Sequence, residues 1–262
     1  MEGILNSRAV LSLTGEDATA FLQGLVTQDV TGAAPVFAAL LTPQGKILFD
    51  FILVPGAGGC LVDCDAAAAP DLLKRLSMYR LRAKVTLTAE AGLGVFIGSR
   101  KDARAAYADP RLPSLPARMI APAGAAPAAD DAYDALRLAA GVPEFGRDFG
   151  GEEVFLLDVN YDALAGVSYK KGCFVGQEVT SRMKRKGEIR KRTLIAAGAS
   201  LQKGGAVMAG DSAIGDVMSA RGGSGLALVR LDRLADARAE GLALTCGGAP
   251  LSLETPAYLG AG

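Results

Sequence analysis

The chain has 262 residues, half of them apolar and 21% charged, a composition that suits two or three compact domains and excludes disorder. Basic and acidic residues balance at 28 each, which argues against bulk polyanion binding. Histidine is absent altogether, so Ser-His-Asp and Cys-His pairs, His-ligated zinc and His general bases are excluded.

In chain order, Ala9–Thr14 alternates like a strand, and Thr14-Gly15-Glu16-Asp17 reads as a helix start with Thr14 as its cap. That helix continues through Phe21, Leu22 and Leu25. Strands are expected over Val36–Leu41 and Lys46–Val54, joined by the hairpin-type turn Thr42-Pro43-Gln44-Gly45. A strand over Cys60–Cys64 follows, with both cysteines as buried small hydrophobes. Asp71–Tyr79 predicts a helix with Leu72, Leu73 and Leu76 on one face, and Ala83–Leu87 and Leu93–Ile97 return to β. Prolines at 110, 113, 116, 122 and 127 mark 109–131 as an irregular connection and not a core element. A helix over 130–140 ends at Gly141 and Pro143. After Arg192 the chain becomes short strands between glycine turns: Thr193–Ala197, Val207–Ala209, Ala213–Ala220, Leu226–Leu231 and Leu242–Cys246. The class is therefore α+β for about 190 residues, then a small, mostly β domain.

No apolar run reaches the length of a membrane span. Residues 1–8 lack the basic start and apolar run of a signal peptide, and they lack an Arg-rich amphipathic helix, so a cytoplasmic location is expected.

The segment Lys170-Lys171-Gly172-Cys173-Phe174-Val175-Gly176-Gln177-Glu178 concentrates the chemistry. Gly172 permits a tight turn, and Phe174–Met183 predicts a helix with Cys173 near its N-terminus, beside Lys170 and Lys171. Positive charge and a helix start both favour thiolate over thiol, so Cys173 reads as a reactive or metal-binding sulfur. The competing reading is a cysteine used as a small packing residue. From Lys170 to Arg192 nine basic residues face two acids, Glu178 and Glu188, a net +7 over 23 residues. That run is either a solvated face or an attraction for an anion, such as a phosphate backbone, a folate's glutamyl tail or an acidic protein surface. Stacking aromatics are not interleaved with it, which weakens direct RNA reading.

Lys-Gly-Cys-Phe-Val-Gly-Gln-Glu at 171–178 resembles the hallmark of the YgfZ-type folate-binding proteins. That group includes the mitochondrial iron–sulfur assembly factors and is related to the glycine-cleavage T-protein, an aminomethyltransferase. The continuation through Arg182 to Gly187-Glu188-Ile189-Arg190-Lys191-Arg192 is most similar to the assembly-factor branch. Further likenesses are Leu13–Ala18, Phe21–Gly24, Thr27-Gln28-Asp29-Val30, Thr42–Lys46, Tyr79–Val85 and Leu136–Pro143, all in the family's order.

The resemblance implies a T-protein-like fold of two interleaved α+β subdomains, about 1–44 with 112–190 and about 45–111, followed by a C-terminal antiparallel β-barrel over 191–262. It also implies a central groove with Cys173 at its mouth. Tetrahydrofolate is the implied cofactor, with Asp50, Arg82, Arg137, Lys171, Gly172, Gln177, Glu178 and Arg182 as candidate binding residues. Cys173 is then the functional thiol, one ligand of an iron–sulfur cluster held transiently and shared with a partner.

T-proteins differ in carrying two adjacent acids where this chain has Phe49-Asp50, and an Arg-x-Glu where it has Arg137-Leu138-Ala139. Ala139 cannot replace a carboxylate paired with a pterin. The implied function is thus a folate-binding accessory factor for iron–sulfur cluster assembly or repair, supporting [4Fe–4S] enzymes, among them tRNA-modifying ones. Its implied partners are iron–sulfur carrier or client proteins, with no membrane and no DNA partner. A folate-dependent one-carbon transferase with Asp50 as acid/base, and a module making a weak tRNA contact through Arg182–Arg192, stand as alternatives.

Overall fold

The computed structural model describes residues 2–185 and 189–260. The first half runs β1 (Gly3–Ile4), β2 (Arg8–Thr14), α1 (Ala18–Gln23), β3 (Val36–Leu41), β4 (Ile47–Gly56), β5 (Gly59–Asp65), α2 (Ala69–Arg80) and β6 (Thr86–Ala89). Then come β7 (Leu93–Ile97), β8 (Ala105–Tyr107), β9 (Arg118–Pro122), α3 (Asp130–Ala139) and α4 (Gln177–Arg185). The last part holds β10 (Lys191–Ala197), β11 (Ala206–Ala209), β12 (Ser212–Arg221), β13 (Ser224–Arg230), α5 (Leu231–Ala239), β14 (Leu244–Cys246), β15 (Ala249–Pro250) and β16 (Ser252–Glu254).

Three antiparallel sheets result. One has five strands in the order β3-β4-β5-β2-β6, one has four in the order β1-β7-β9-β8, and one has seven in the order β15-β14-β11-β12-β13-β10-β16. The seven-stranded sheet forms the nearly closed C-terminal barrel and encloses its own core around Leu194, Val207, Val217 and Val229. Strand β4 explains why the first sheet is buried on both faces. Its sequence is almost continuously apolar, as a doubly covered strand requires. Alternate residues divide between two cores: Ile52 and Val54 join one that extends to the four-stranded sheet, while Phe51 and Leu53 join another beneath α1 and α2. Asp50 shares the face of Ile52 and Val54, so the strand carries a carboxylate into the first core.

Several expectations need correction. The boundary expected at 44/45 cuts the β3–β4 hairpin, whose strands pair from Val36↔Leu53 to Leu41↔Ile47 within one sheet. The stretch 109–131 is not an irregular connection throughout: β9 lies at its centre, pairs with both β7 and β8, and is buried from Arg118 to Ala121. Helix α1 begins at Ala18, with Asp17 and not Thr14 at its cap position. The Asp17 carboxylate accepts instead from the Lys84 backbone N–H at 2.7 Å. Helix α5, absent from the sequence reading, follows β13 directly.

Candidate functional site

Two glycines set the position of the 170–178 segment. Gly176 has φ +80, and a Cβ there would lie 2.6 Å from the Thr42 carbonyl oxygen and 3.0 Å from Leu41 Cβ. Gly45, in the turn between β3 and β4, has φ +84 and faces Val179 of α4 equally closely, at 3.0 Å. Both backbones occupy the left-handed region that glycine enters freely. The Thr42–Gly45 turn and the start of α4 therefore pack backbone to backbone. Helix α4 begins at Gln177, which corrects the expected start at Phe174; Cys173 lies four residues upstream, on an irregular stretch. Phe174 is buried in the core instead of turning with the helix.

A second set of contacts fixes the segment from the other side. The Lys171 ammonium is buried and donates to the carbonyls of Val26 at 2.6 Å and Gln28 at 3.1 Å, with the Phe174 ring 5.3 Å away. Burial pulls it down to about 8, partly opposed by Asp29. Thr27, fully buried between them, donates its hydroxyl to Gly166 O at 2.6 Å and accepts the Ala39 N–H at 2.8 Å. Gln28 reaches Ala165 O at 2.6 Å. Further along, Lys184 of α4 lies 3.7 Å over the Tyr169 ring. Three separate stretches of sequence, Val26–Gln28, Thr42–Gly45 and Lys171–Glu178, thus converge, and Cys173 is left exposed on a loop held at both ends. Among the described residues no group of three or more His, Cys, Asp or Glu is arranged to hold a metal ion.

A groove of about 530 Å³ runs between α2 and β4, lined by Phe49, Lys74, Arg75, Met78 and Phe145 among others. Phe49 and Phe145 face one another with centroids 5.8 Å apart. Beneath Phe145 lies Asp50, which accepts the Phe145 N–H at 3.1 Å and the Tyr161 hydroxyl. Burial pushes the Asp50 carboxyl up, although Arg8 and the Tyr161 hydrogen bond oppose it. Below is an internal ionic network. Arg118 donates to Asp63 at 2.7 Å and Asp109 at 3.2 Å, Arg111 to Asp109 at 2.7 Å and Glu144 at 2.9 Å, and Arg8 to Asp63 at 2.6 Å. Burial favours the neutral acids, yet these guanidiniums hold Asp63 below its ordinary value, Asp109 at about 2 and Glu144 well below the carboxylate range.

The residues expected to bind a cofactor therefore scatter. Asp50 does not line the groove: it is buried in the core, where the Phe145 N–H and the Tyr161 hydroxyl occupy its carboxylate. Arg137 is committed elsewhere: its Nε and both terminal nitrogens serve Asp134, Asp148 and the Val142 carbonyl, leaving no donor for a ligand. Arg82 is exposed just beyond α2. Lys171 is an internal clamp and not a ligand contact. Gly172 is exposed, with open space where a side chain would be, so the turn expected there belongs to Gly176. Gln177, Glu178 and Arg182 lie on α4, Gln177 half-buried and the other two exposed. Of the segment 170–192, Lys186, Gly187 and Glu188 lie outside the described residues. Lys74, Arg75, Phe145 and Tyr161 were missed because their relevance depends on α2 and the 145–161 stretch folding over β4.

The fold and its barrel define the class. The structure resembles a glycine cleavage system aminomethyltransferase T from Bartonella henselae with a TM-score of 0.70, covering 97% of this chain and 85% of that one at 15% identity. Residues 190–261 match the family described as CAF17, C-terminal beta-barrel domain. This is a T-protein-like core with a CAF17-type barrel.

The sequence is 30% identical to an iron–sulfur cluster assembly factor IBA57 homolog, mitochondrial, of Coccidioides immitis, over 88% of this chain and 72% of that protein. It is 31% identical to the mouse iron–sulfur cluster assembly factor IBA57, mitochondrial, over 88% of this chain and 77% of the relative. The match to the Phaeosphaeria nodorum homolog, at 33% identity, spans 72% of this chain and about half (53%) of that protein. The chain belongs to the IBA57 family of iron–sulfur cluster assembly factors. The relatives are named mitochondrial, a finding that points to mitochondria and overturns the cytoplasmic location expected from residues 1–8. Among the described residues no helix is long and apolar enough to cross a membrane.

Proposed function

We propose that the chain acts in iron–sulfur cluster assembly by presenting Cys173 as one ligand of a cluster whose other ligands come from a partner protein. The observation that carries this reading is an exposed thiol on a loop anchored at both ends, by Lys171 and by Gly176. The other cysteines are poorly placed to share a cluster with it: burial pushes the Cys60 and Cys64 thiols up to about 12, and Cys246 is buried in the barrel core. A cluster carried from one protein to another needs a ligand that can enter and leave, and a single accessible cysteine sulfur meets that need.

The test is to mix the purified chain with a cluster-loaded A-type iron–sulfur carrier and follow visible circular dichroism. The wild type is expected to change the cluster's spectrum. The C173A variant is expected to leave the carrier's own spectrum untouched, and an identical change with C173A would overturn the reading.

The groove supports a second element of the proposal, tetrahydrofolate. Two aromatic rings, Phe49 and Phe145, suit a flat ring system, and Lys74 and Arg75 at its edge suit a glutamyl carboxylate. Phe49 stands where T-proteins have one of their two adjacent acids, and Arg137 is held internally, so this groove would bind without the acid pair of an aminomethyl transferase.

A further inference from the structure

Cys173 lies midway between two residues that are tied to opposite ends of one helix. Gln177 opens α4, while the Lys184 ammonium near its other end lies 3.7 Å over the Tyr169 ring. The loop 169–176 therefore runs back along α4, whose length from Gln177 to Lys184 is about 10 Å at the helical rise. Four residues of extended chain reach at most ~14 Å, so Cys173 stands within that distance of both Tyr169 and Gln177.

This placement gives the thiol a charged neighbourhood. Lys170, Arg182, Lys184 and Arg185 are exposed, against one exposed acid in the same stretch, Glu178. Among the described residues none of the four pairs with a carboxylate. Lys184 rests on its ring, and Arg185 donates to the Ser181 carbonyl at 3.3 Å within its own helix. Arg182 and Arg185 share a helix face, turned away from the buried Thr180. Past the helix, the exposed Arg190 and Lys191 line a cavity with Met183 of α4 and continue the positive strip. A chain that is neutral as a whole thus concentrates positive charge around one exposed sulfur.

Charge and ring placement together select the occupant. Exposed cations without internal partners complement a surface of the opposite sign. A cluster ligated by thiolates is itself net anionic, so the same cations offset the charge that it brings. Nucleic acid is an anion too, but single strands are held by stacking on open aromatic rings. Here Phe174 is buried, and Tyr169 has Lys184 over its ring and its hydroxyl buried, so both rings of the segment are already occupied.

We infer that the exposed face of α4 and the loop alongside it form the docking surface for an acidic protein that shares the cluster at Cys173. Lys170, Arg182 and Arg185 meet carboxylates on that protein. An interface of about 800 Å² a side is roughly 30 Å across, enough to cover the helix, the loop and the thiol together. The inference rests on the Cys173 reading and adds where the partner sits and what chemistry it presents.

Titration with a cluster-free A-type iron–sulfur carrier, read by calorimetry, tests it. K170E/R182E/R185E is expected to keep its unfolding midpoint, since these side chains are exposed, and to bind the carrier at least about tenfold more weakly. Wild-type affinity is expected to fall as salt is raised, and the variant's to change little. K170E alone, on the loop and outside the helix, is expected to weaken binding about threefold, so the test does not depend on α4 tolerating reversal. R182K/R185K keeps the charge and is expected to stay within about twofold of wild type. Wild-type affinity in K170E/R182E/R185E, or no carrier binding by the wild type, overturns the inference. So does a loss in R182K/R185K as large as that of the reversal, which would tie recognition to shape and not to charge. Loss of tRNA binding in the reversal with carrier binding intact would overturn it as well, making α4 a nucleic-acid surface. C173A is expected to dock the cluster-free carrier with wild-type affinity and to leave the spectrum of the cluster-loaded carrier unchanged. A wild-type spectral change with C173A would overturn the Cys173 reading and leave the docking result standing.

Discussion

Lys171 carries a positive charge into a place where carbonyl oxygens, not a carboxylate, receive it. Replacing it with methionine keeps the length of the side chain but leaves the Val26 and Gln28 oxygens without their donor, which costs about 2 kcal/mol. K171M is therefore expected to unfold at lower urea and to exchange the amides of 26–28 and 168–176 faster. The pH dependence follows from the direction of the shift. The folded lysine releases its proton near 8 and the unfolded one near 10.5. Between those values the unfolded chain binds more protons, so this residue's contribution to stability rises with pH. The stability gap between wild type and K171M should widen from pH 8 to pH 10, and urea titrations at both show it. A gap that narrows would mean that the buried group is not Lys171's ammonium.

At the scale of elements, the packing of the Thr42–Gly45 turn against α4 depends on two residues without side chains. Gly176→Ala places a methyl 2.6 Å from a backbone oxygen at φ +80, and is expected to cost about 2–4 kcal/mol. Gly172→Ala has open space and should leave the urea midpoint unchanged. Equal midpoints for the two variants would reject this assignment. The contrast also marks what the sequence made legible. The motif at 171–178, the TPQG turn and the 27–30 stretch were all visible, and so were the strands and helices with clean periodicity. Their convergence on Cys173 was not, because contacts such as Lys171 to Val26 join residues far apart in sequence. Strand β9 was hidden by the flanking prolines, and by Arg118, a buried cation that interrupts the apolar pattern a core strand usually shows. Helix α5 was lost because its first residue reads as the end of an apolar strand.

On the scale of the whole molecule, the buried network runs through the core that the five-stranded sheet, the four-stranded sheet and α3 share. Asp63 comes from the five-stranded sheet, Arg118 from the four-stranded sheet, Tyr133 from α3, and Glu144 from the loop after it. Such a network stabilises only while its acids are ionised. Asp109 is held at about 2 against an ordinary 3.8, and Asp63 and Glu144 are also held low. For these groups the unfolded chain binds more protons at acid pH, so their stabilisation is full above about pH 4 and is lost as pH falls through the folded values. Asp50, raised by burial, works in the opposite sense and favours the fold less as pH rises. Arg118→Met removes the hub. Asp63 retains Arg8 and Asp109 retains Arg111, yet each loses a buried cation, and the expected cost at pH 7 is about 3–5 kcal/mol. Because that coupling requires ionised carboxylates, the deficit of R118M should shrink as pH is lowered from 4 towards 2. Urea midpoints at pH 7, 4 and 3 measure it. A deficit that stays constant across that range would show that Arg118 contributes through packing volume alone, and that the two sheets are held together without help from its charge.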